Sequence, residues 1–379
     1  MSSVKGIVEE LLSEDGPSAL VLTEELEPAE GRSSVFFPPT YASERKGEKP
    51  RYALTEKGPL STVVVDSVES QANRLEQLFT KEGYRELVPQ VWIKIRTSEG
   101  KELKVNLLDV SHRIADALVR CSELAEEVER ALERFKYEGD ATDIARLSPT
   151  SLLFGFWDSR KTGVKAPRLL RSEIRAWKVK EVVRYAQFSP ALLKEFRPEK
   201  ERMVYQQLEP FKKLFEEEFG GNEKKFKDWL ANAGFSSVPV SQTKIVGGVV
   251  LDEDGKIERT TSLHLVGIRA FRKAGELLPR YLLALGLVAL TAPQDYDLRQ
   301  GCLLVRREGK GPLIQKVYKD GRRVEIELRH EEALQYAKEV AREFMTKLRC
   351  EREREVGIDY GKLKKLKEEL EKAGEEEES

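Results

Sequence analysis

Hydrophobic positions change period repeatedly along the chain, and each change predicts an element. In "VVVDSVESQANRLEQLF", Val63 to Val65 are three β-branched residues of the kind that end a strand. Val68, Ala72, Leu75 and Phe79 then recur at i, i+4, i+7 and i+11, which is one buried face of a helix. Asp66, with Glu69 three residues on, makes an acidic variant of the capping box, so the helix is expected to start there. Its other face carries Ser67, Ser70, Gln71 and Arg74, with Asn73 beside them, where a solvated helix would carry Glu and Lys.

The same reading extends to both sides. "PSALVLTEELEP" alternates as a first strand, and the paired prolines of "GRSSVFFPPTYAS" exclude a helix. "VWIKIRTSEGKELKVNLL" predicts a hairpin turning near Gly100, with Trp92, Lys94 and Arg96 on one face. From Ser111, a stripe of Ile114, Leu118, Cys121, Ala125 and Val128 predicts a second helix. "SLLFGFW" reads as a short strand, and "LLRSEIRAW" alternates with Arg171, Glu173, Arg175 and Trp177 on one side. Residues 190–240 are helical and highly charged, an insertion. "KIVGGVVLDEDGKIERTTSL" predicts a hairpin with Asp254-Gly255 at its turn. Two apolar helices, strands around "GCLLVRR" and "IQKVYKDGRRVEIEL", and a long helix follow. Glu375 to Glu378 end the chain in an acidic tail expected to be disordered. Strand, helix, hairpin, helix, strand predicts an α+β fold: a modified ferredoxin-like (RRM/RAMP) core with large helical and hairpin insertions. Residues 1–350 are taken as one such domain and 351–379 as a charged C-terminal helix with its tail.

Composition narrows the partners. Charged residues make up 35% of 379, yet the net charge is −1, so a surface for a polyanion has to come from local segregation. Arg160 to Arg184 holds nine Lys or Arg against Glu173 and Glu181. Arg299 to Arg323 holds eight against Glu308 and Asp320. Trp177 lies in the first run and Tyr318 in the second. Cations interspersed with aromatics suit single-stranded nucleic acid, whose phosphates need charge and whose bases stack; Lys and Arg guarding a strand edge would look alike. Cys121, Cys302 and Cys350 are far apart and odd in number, which argues against a disulfide framework or a zinc site and for a reducing cytoplasm. The acidic N-terminus is no signal peptide, and "YLLALGLVAL" is too short to span a membrane.

Catalytic motifs are missing: no phosphate loop, dinucleotide fingerprint, zincin helix or nucleophile elbow. Of three histidines, His264 sits among apolar residues and His330 opens the last long helix. His112, in "DVSHRIADA", follows Ser111 at an expected N-cap and precedes Arg113. A neutral imidazole beside Arg113 at a helix N-terminus could hold phosphate or act as a general base in RNA cleavage, while local capping is the plainer role.

Taken in order, "FFPPTYAS", "VVDSVESQANRLE", "LLDVSHRIADALVR", "SPTSLLFGFWDS", "LLRSEIRAW" and "YDLRQGCLLV" resemble the backbone subunit of subtype I-G (formerly I-U) CRISPR Cascade, the Csb-one or Cas-seven-type RAMP protein, over roughly residues 18 to 306. The resemblance implies a modified RRM fold with thumb and finger insertions. It implies several copies stacked along a CRISPR RNA, and a guide displayed to target DNA. It implies association with the large subunit and the Cas-five/Cas-six-type RAMP subunit, a recruited helicase-nuclease that does the cutting, and no enzyme activity, cofactor, metal or membrane of its own. The residues expected to hold RNA are Ser67, Ser70, Gln71, Asn73, Arg74, Ser111, His112, Arg113, Arg160, Lys161, Arg168, Arg171, Arg175 and Arg299. A metal-independent RAMP-type endoribonuclease with His112 as base, or a structural subunit without RNA contact, are the alternatives.

Overall fold

A computed structural model of the chain describes residues 4–42, 51–57, 60–185, 205, 207–236, 244–364 and 366–368. Alternation of apolar and polar residues builds a nine-stranded antiparallel sheet. Its principal strands are β1 (Ala19–Pro28), β2 (Leu60–Asp66), β3 (Leu170–Tyr185), β4 (Lys244–His264), β5 (Tyr296–Arg299), β6 (Cys302–Arg306) and β7 (Leu313–Val317). They lie in the order β5-β6-β1-β4-β3-β2. The strand Leu54–Lys57 flanks β2, and β7 shares the β1 edge with β6. Because β4 is antiparallel to both neighbours, β1 and β3 run parallel with β4 between them.

The register stacks residues in rows on the covered face. Leu20, Leu263 and Leu170 form an apolar row, followed by Leu22, Thr261 and Ser172. Glu24, Arg259, Ile174 and Asp66 come next, then Leu26, Ile257, Ala176 and Val63. Polar rows therefore separate two apolar clusters. The first lies under α1 (Val4–Leu12), α2 (Val68–Glu76), α3 (Ala125–Glu138), α4 (Leu277–Thr291) and α5 (His330–Lys347). The second is closed by Phe36, Tyr52, Tyr296, Leu298, Cys302 and Leu304. Helix α4 is buried on nearly every side, so its continuous apolar run needs no membrane. Among the described residues no helix is long and apolar enough to cross one.

Several elements differ from expectation. The helix cap is Ser67, in extended conformation, whose Oγ accepts from the Ser70 N–H at 3.3 Å. Asp66 belongs to the strand and is fully buried. The stripe from Ser111 is cut into a short turn at Arg113–Ala115, a helical turn at Ala117–Arg120 and α3, with Asp116 accepting from the Leu118 N–H at 3.0 Å. "SLLFGFW" is mostly helix, Pro149–Phe154, followed by the two-residue strand Phe156–Trp157. Pro149 fits the first helical turn, where no N–H is needed, and a short apolar run buried all round has no period to read.

The stretch around Asp254-Gly255 turns no hairpin. Residues 244–264 are one strand, and β3 is its partner throughout. The register jumps from Trp177↔Lys256 to Val179↔Leu251, so Asp252–Gly255 bulge out while Lys178 opposite takes a φ of 52°. Beyond Cys350, Glu353–Gly357 is a strand parallel to Gln90–Arg96, which joins the 90–106 hairpin in a three-stranded side sheet. Of the 190–240 insertion, helices Glu209–Glu217 and Glu223–Asn232 enclose an aromatic cluster of their own around Tyr205, Phe226 and Leu230. Residues 190–204, 206 and 237–240 of that insertion, and the acidic tail, lie outside the described residues. The three cysteines are free thiols, and burial pushes the Cys302 thiol up to about 11.

Candidate nucleic-acid interface

The unusual face of α2 resolves into two parts. Its inner part is a buried polar network. Gln71 has no exposed surface; its Nε2 donates to Asp66 Oδ2 at 2.8 Å, and its Oε1 accepts from Ser172 Oγ at 2.9 Å. Ser172 also meets Thr261 Oγ1 at 2.8 Å. Arg74 Nε donates to the same Asp66 oxygen at 3.2 Å, and its Nη2 to the Leu298 carbonyl at 2.7 Å. Arg299 reaches Asp66 Oδ1 at 3.2 Å and the Val65 carbonyl at 2.8 Å. Gln71, expected to face a ligand, is thus turned wholly inward. Arg74 and Arg299, whose side chains stay 35% and 26% exposed, are held on one side by Asp66 and nearby carbonyls, because a buried carboxylate has to be hydrogen-bonded on every side.

A second buried centre is one that the sequence pattern did not flag. Glu24 accepts from Arg259 Nε at 3.0 Å, from Arg306 Nε at 2.6 Å and from the Tyr296 hydroxyl. Burial pushes its carboxyl up, but Arg259, Tyr296 and Arg306 outweigh that and hold it below the usual range. The signal was present: Leu20, Leu22, Glu24 and Leu26 share one phase of β1.

The outer part remains at the surface. Ser67 and Ser70 are half-exposed and Asn73 is exposed on the first turns of α2. Arg168 lies across the helix start, its Nη1 3.4 Å from Glu69 Oε1. On the open face of β3, Arg171 is exposed, Arg175 is half-buried, and both contact Glu173, at 3.5 and 2.9 Å. Lys256 sits over Trp177, 5.1 Å from the ring centroid. Tyr41 overlooks this region: burial raises its phenol, Arg299 opposes, and Asp66, Glu69 and Glu173 add to the rise. The surface thus has two parts, Arg168 at the N-terminus of α2 and Arg171, Arg175 and Trp177 on the open face of β3, with Tyr41 near enough to both to feel Glu69 of the one and Glu173 of the other. Such a surface can take phosphate from the Arg forks and the helix N-terminus, and stack bases on the rings.

The other expected residues lie apart. Arg113 is buried, its Nε bonded to Glu76 Oε2 at 2.7 Å and its Nη1 to the Gly155 carbonyl at 3.1 Å, over the Phe154 ring. Burial pushes the Glu76 carboxyl up, with Arg113 opposing. This pair sits at the C-terminal end of α2, about 13 Å along the axis from Ser67 for nine residues. Ser111 and His112 are exposed there, but Arg113 turns inward, so His112 and Arg113 cannot grip one phosphate together. Arg160 and Lys161 belong to the loop after Trp157, where Lys161 pairs with Glu129 at 2.7 Å. His330, the first residue of α5, is half-buried, its ring nitrogens meeting Tyr84 Oη at 2.8 Å and Thr291 Oγ1 at 3.0 Å.

Residues 20–181 match the family model described as CRISPR-associated protein GSU0053. The matched segment runs from β1 through α2 into β3, so it contains Ser67, Arg168, Arg171 and Arg175. It spans somewhat less than half of the chain and supports a CRISPR-associated (Cas) protein. A chain of a solved assembly described as "CRISPR RNA-guided surveillance complex, pre-nicking" is similar at 11% identity and a TM-score of 0.34, covering 87% of this chain and 88% of that one. No curated protein gives a significant match.

Proposed function

We propose that this chain is the CRISPR RNA-binding backbone subunit of a Cascade-type surveillance complex, of subtype I-G, holding the guide by its phosphates and presenting its bases to target DNA. The observation that carries the reading is a coincidence of place. The segment matching a CRISPR-associated family is the one that carries both Arg168 at the N-terminus of α2 and Arg171 and Arg175 on the open face of β3. The strand order supports a ferredoxin-like core: β1 and β3 are parallel around β4, the split βαβ arrangement, with β6 and β7 on the far side of β1. In this reading copies of the chain repeat along the RNA beside the other Cascade subunits, and a separate nuclease does the cutting. In this reading the subunit does no catalysis of its own, which is in keeping with Arg113 being turned inward against Glu76 and away from His112.

A guide carrier has to accept any spacer, so its contacts belong on phosphate and sugar. Fluorescence anisotropy with two single-stranded RNAs of equal length and unrelated sequence tests this. Equal affinities are expected, and a preference of about a hundredfold for one of them, worth roughly 2.7 kcal/mol, would reject the reading.

A further inference from the structure

Half of the first basic run forms an arm beside Arg168. Phe156–Trp157 pairs with Lys165–Ala166 in a two-stranded hairpin. Its base is fixed to the start of β3: the Leu169 N–H donates to the Leu153 carbonyl at 2.9 Å, and Arg168 Nε to the Phe154 carbonyl at 3.2 Å. Gly155 between them has a φ of 79°, and a Cβ there would lie 2.9 Å from the Arg168 nitrogen, so only glycine lets the two approach. The tip is held as firmly. Asp158, only 3% exposed, accepts from the Thr162 N–H at 2.9 Å and from its hydroxyl at 2.7 Å. Lys136 of α3 donates to the Thr162 carbonyl at 2.7 Å.

This fixed arm presents rings to solvent. Trp157 is 60% exposed with Lys165 5.6 Å from its centroid, and Tyr137 is 77% exposed with Lys136 5.4 Å from its centroid. Because Lys136 also holds Thr162, the second ring stands beside the hairpin tip. Tryptophan is ordinarily the more deeply covered residue, so an indole this open calls for something to cover it. The cations of the arm are unspent as well. Among the described residues neither Arg160 nor Lys165 has an acidic partner, whereas on the open sheet face Arg175 and Lys256 are matched by Glu173 at 2.9 Å and Glu258 at 2.7 Å. Exposed rings beside unmatched cations suit bases and their phosphates. An apolar protein surface in the same place would bury those charges without a counter-charge.

We propose that the Phe156–Ala166 hairpin extends the RNA surface outward from Arg168, Trp157 stacking on one unpaired base of a single strand while Lys165 and Arg160 meet the phosphates beside it. Lys165 is three residues before Arg168, within about 11 Å along the chain, and Trp157 is its cross-strand partner, about 5 Å away. Ring and arginine thus lie within reach of neighbouring nucleotides of the same strand. A base held by its face is accepted whatever its identity, as a guide of any sequence requires. The inference rests on the guide-binding reading and adds a stacking contact outside the arginines of β3.

The test is an anisotropy titration of the full chain with a labelled single-stranded RNA of mixed sequence, melting temperatures being measured alongside. Trp157→Ala is expected to lose about tenfold in affinity at an unchanged melting temperature, and Trp157→Phe about twofold or less, since a ring remains. Lys165→Gln is expected to lower the log–log salt slope by about 0.7, while Trp157→Ala keeps the wild-type slope, because stacking neutralises no phosphate. At saturating RNA the fall in tryptophan fluorescence is expected to be smaller in Trp157→Phe than in wild type. Wild-type RNA binding that Trp157→Ala does not weaken overturns the proposal and leaves the guide-carrier reading standing, and so does a Phe variant as weak as the Ala one. Loss of self-association in Trp157→Ala with RNA affinity unchanged also overturns it, assigning the ring to a protein contact. A wild-type chain that binds no single-stranded RNA overturns both.

Discussion

Asp66 and Arg299 lie 233 positions apart in the chain and meet at 3.2 Å. The contact ties the last residue of β2, which leads into α2, to the end of β5 at the opposite end of the sheet's strand order. Arg74 makes the same link from the helix side, through Asp66 and the Leu298 carbonyl. The N-terminus of α2, and with it the surface around Arg168 and Arg171, is therefore positioned by a chain segment remote in sequence.

Removing the hub should be costly. Asp66→Ala leaves the buried Gln71 without its acceptor and the part-exposed Arg74 and Arg299 without their counter-charge, and a buried donor left unsatisfied costs about 1–3 kcal/mol. Urea unfolding is expected to show a loss of that size, while Asn73→Ala on the exposed side of the same helix stays within about 0.5 kcal/mol. Equal, small effects from both would show that the network is not a structural tie.

Arginines on the two faces should separate by assay. Arg171→Ala and Arg175→Ala are expected to weaken RNA binding and to lower the log–log salt slope by about 0.7 for each phosphate the side chain no longer neutralises. Arg74→Ala and Arg299→Ala are expected to lower the unfolding midpoint and to leave that slope unchanged, because their forks are turned towards Asp66. A changed salt slope with intact stability in Arg74→Ala would reverse the assignment.

His330 should make stability pH-dependent. Burial lowers its pKa, with Glu331 opposing, and the neutral ring is held between Tyr84 and Thr291. The unfolded chain takes up the proton near pH 6.5 and the folded chain only below that. Its contribution is then complete above about 6.5 and is lost as the pH falls through the window down to the lowered folded pKa. Thermal melts between about pH 7 and pH 5 should fall more steeply for wild type than for His330→Gln. Parallel curves would show that the ring does not titrate in that window.

The elements that were legible in the sequence are those with a clean period. The alternation of β1 and of β3, the 90–106 hairpin and the apolar helix α4 all stand where the pattern predicts them. Polarity that turns inward was not legible in the same way. Gln71, Arg74 and Arg113 carry the chemistry of a binding face, and nothing local distinguishes an arginine aimed at phosphate from one aimed at a carboxylate supplied by another element. Asp66 and Glu24 were the better clues, since each sits in the buried phase of its strand and an acid there demands partners. The 244–264 strand departs from its pattern for a related reason. Asp254-Gly255 is good turn chemistry, but the partner that makes it a bulge lies some 75 residues earlier, in the Lys178 contact at 3.0 Å.

Guide binding in a repeating array is the central claim, and expression of the chain with and without a CRISPR array tests it most directly. Mass measurement and negative-stain imaging of the purified product, with the bound nucleic acid extracted and sized, give the answer. The account predicts large particles containing RNA of defined length, with a regular head-to-tail repeat along it, and their disappearance when the array is omitted. A monomer or a strictly two-fold dimer that carries no RNA in either case would contradict it.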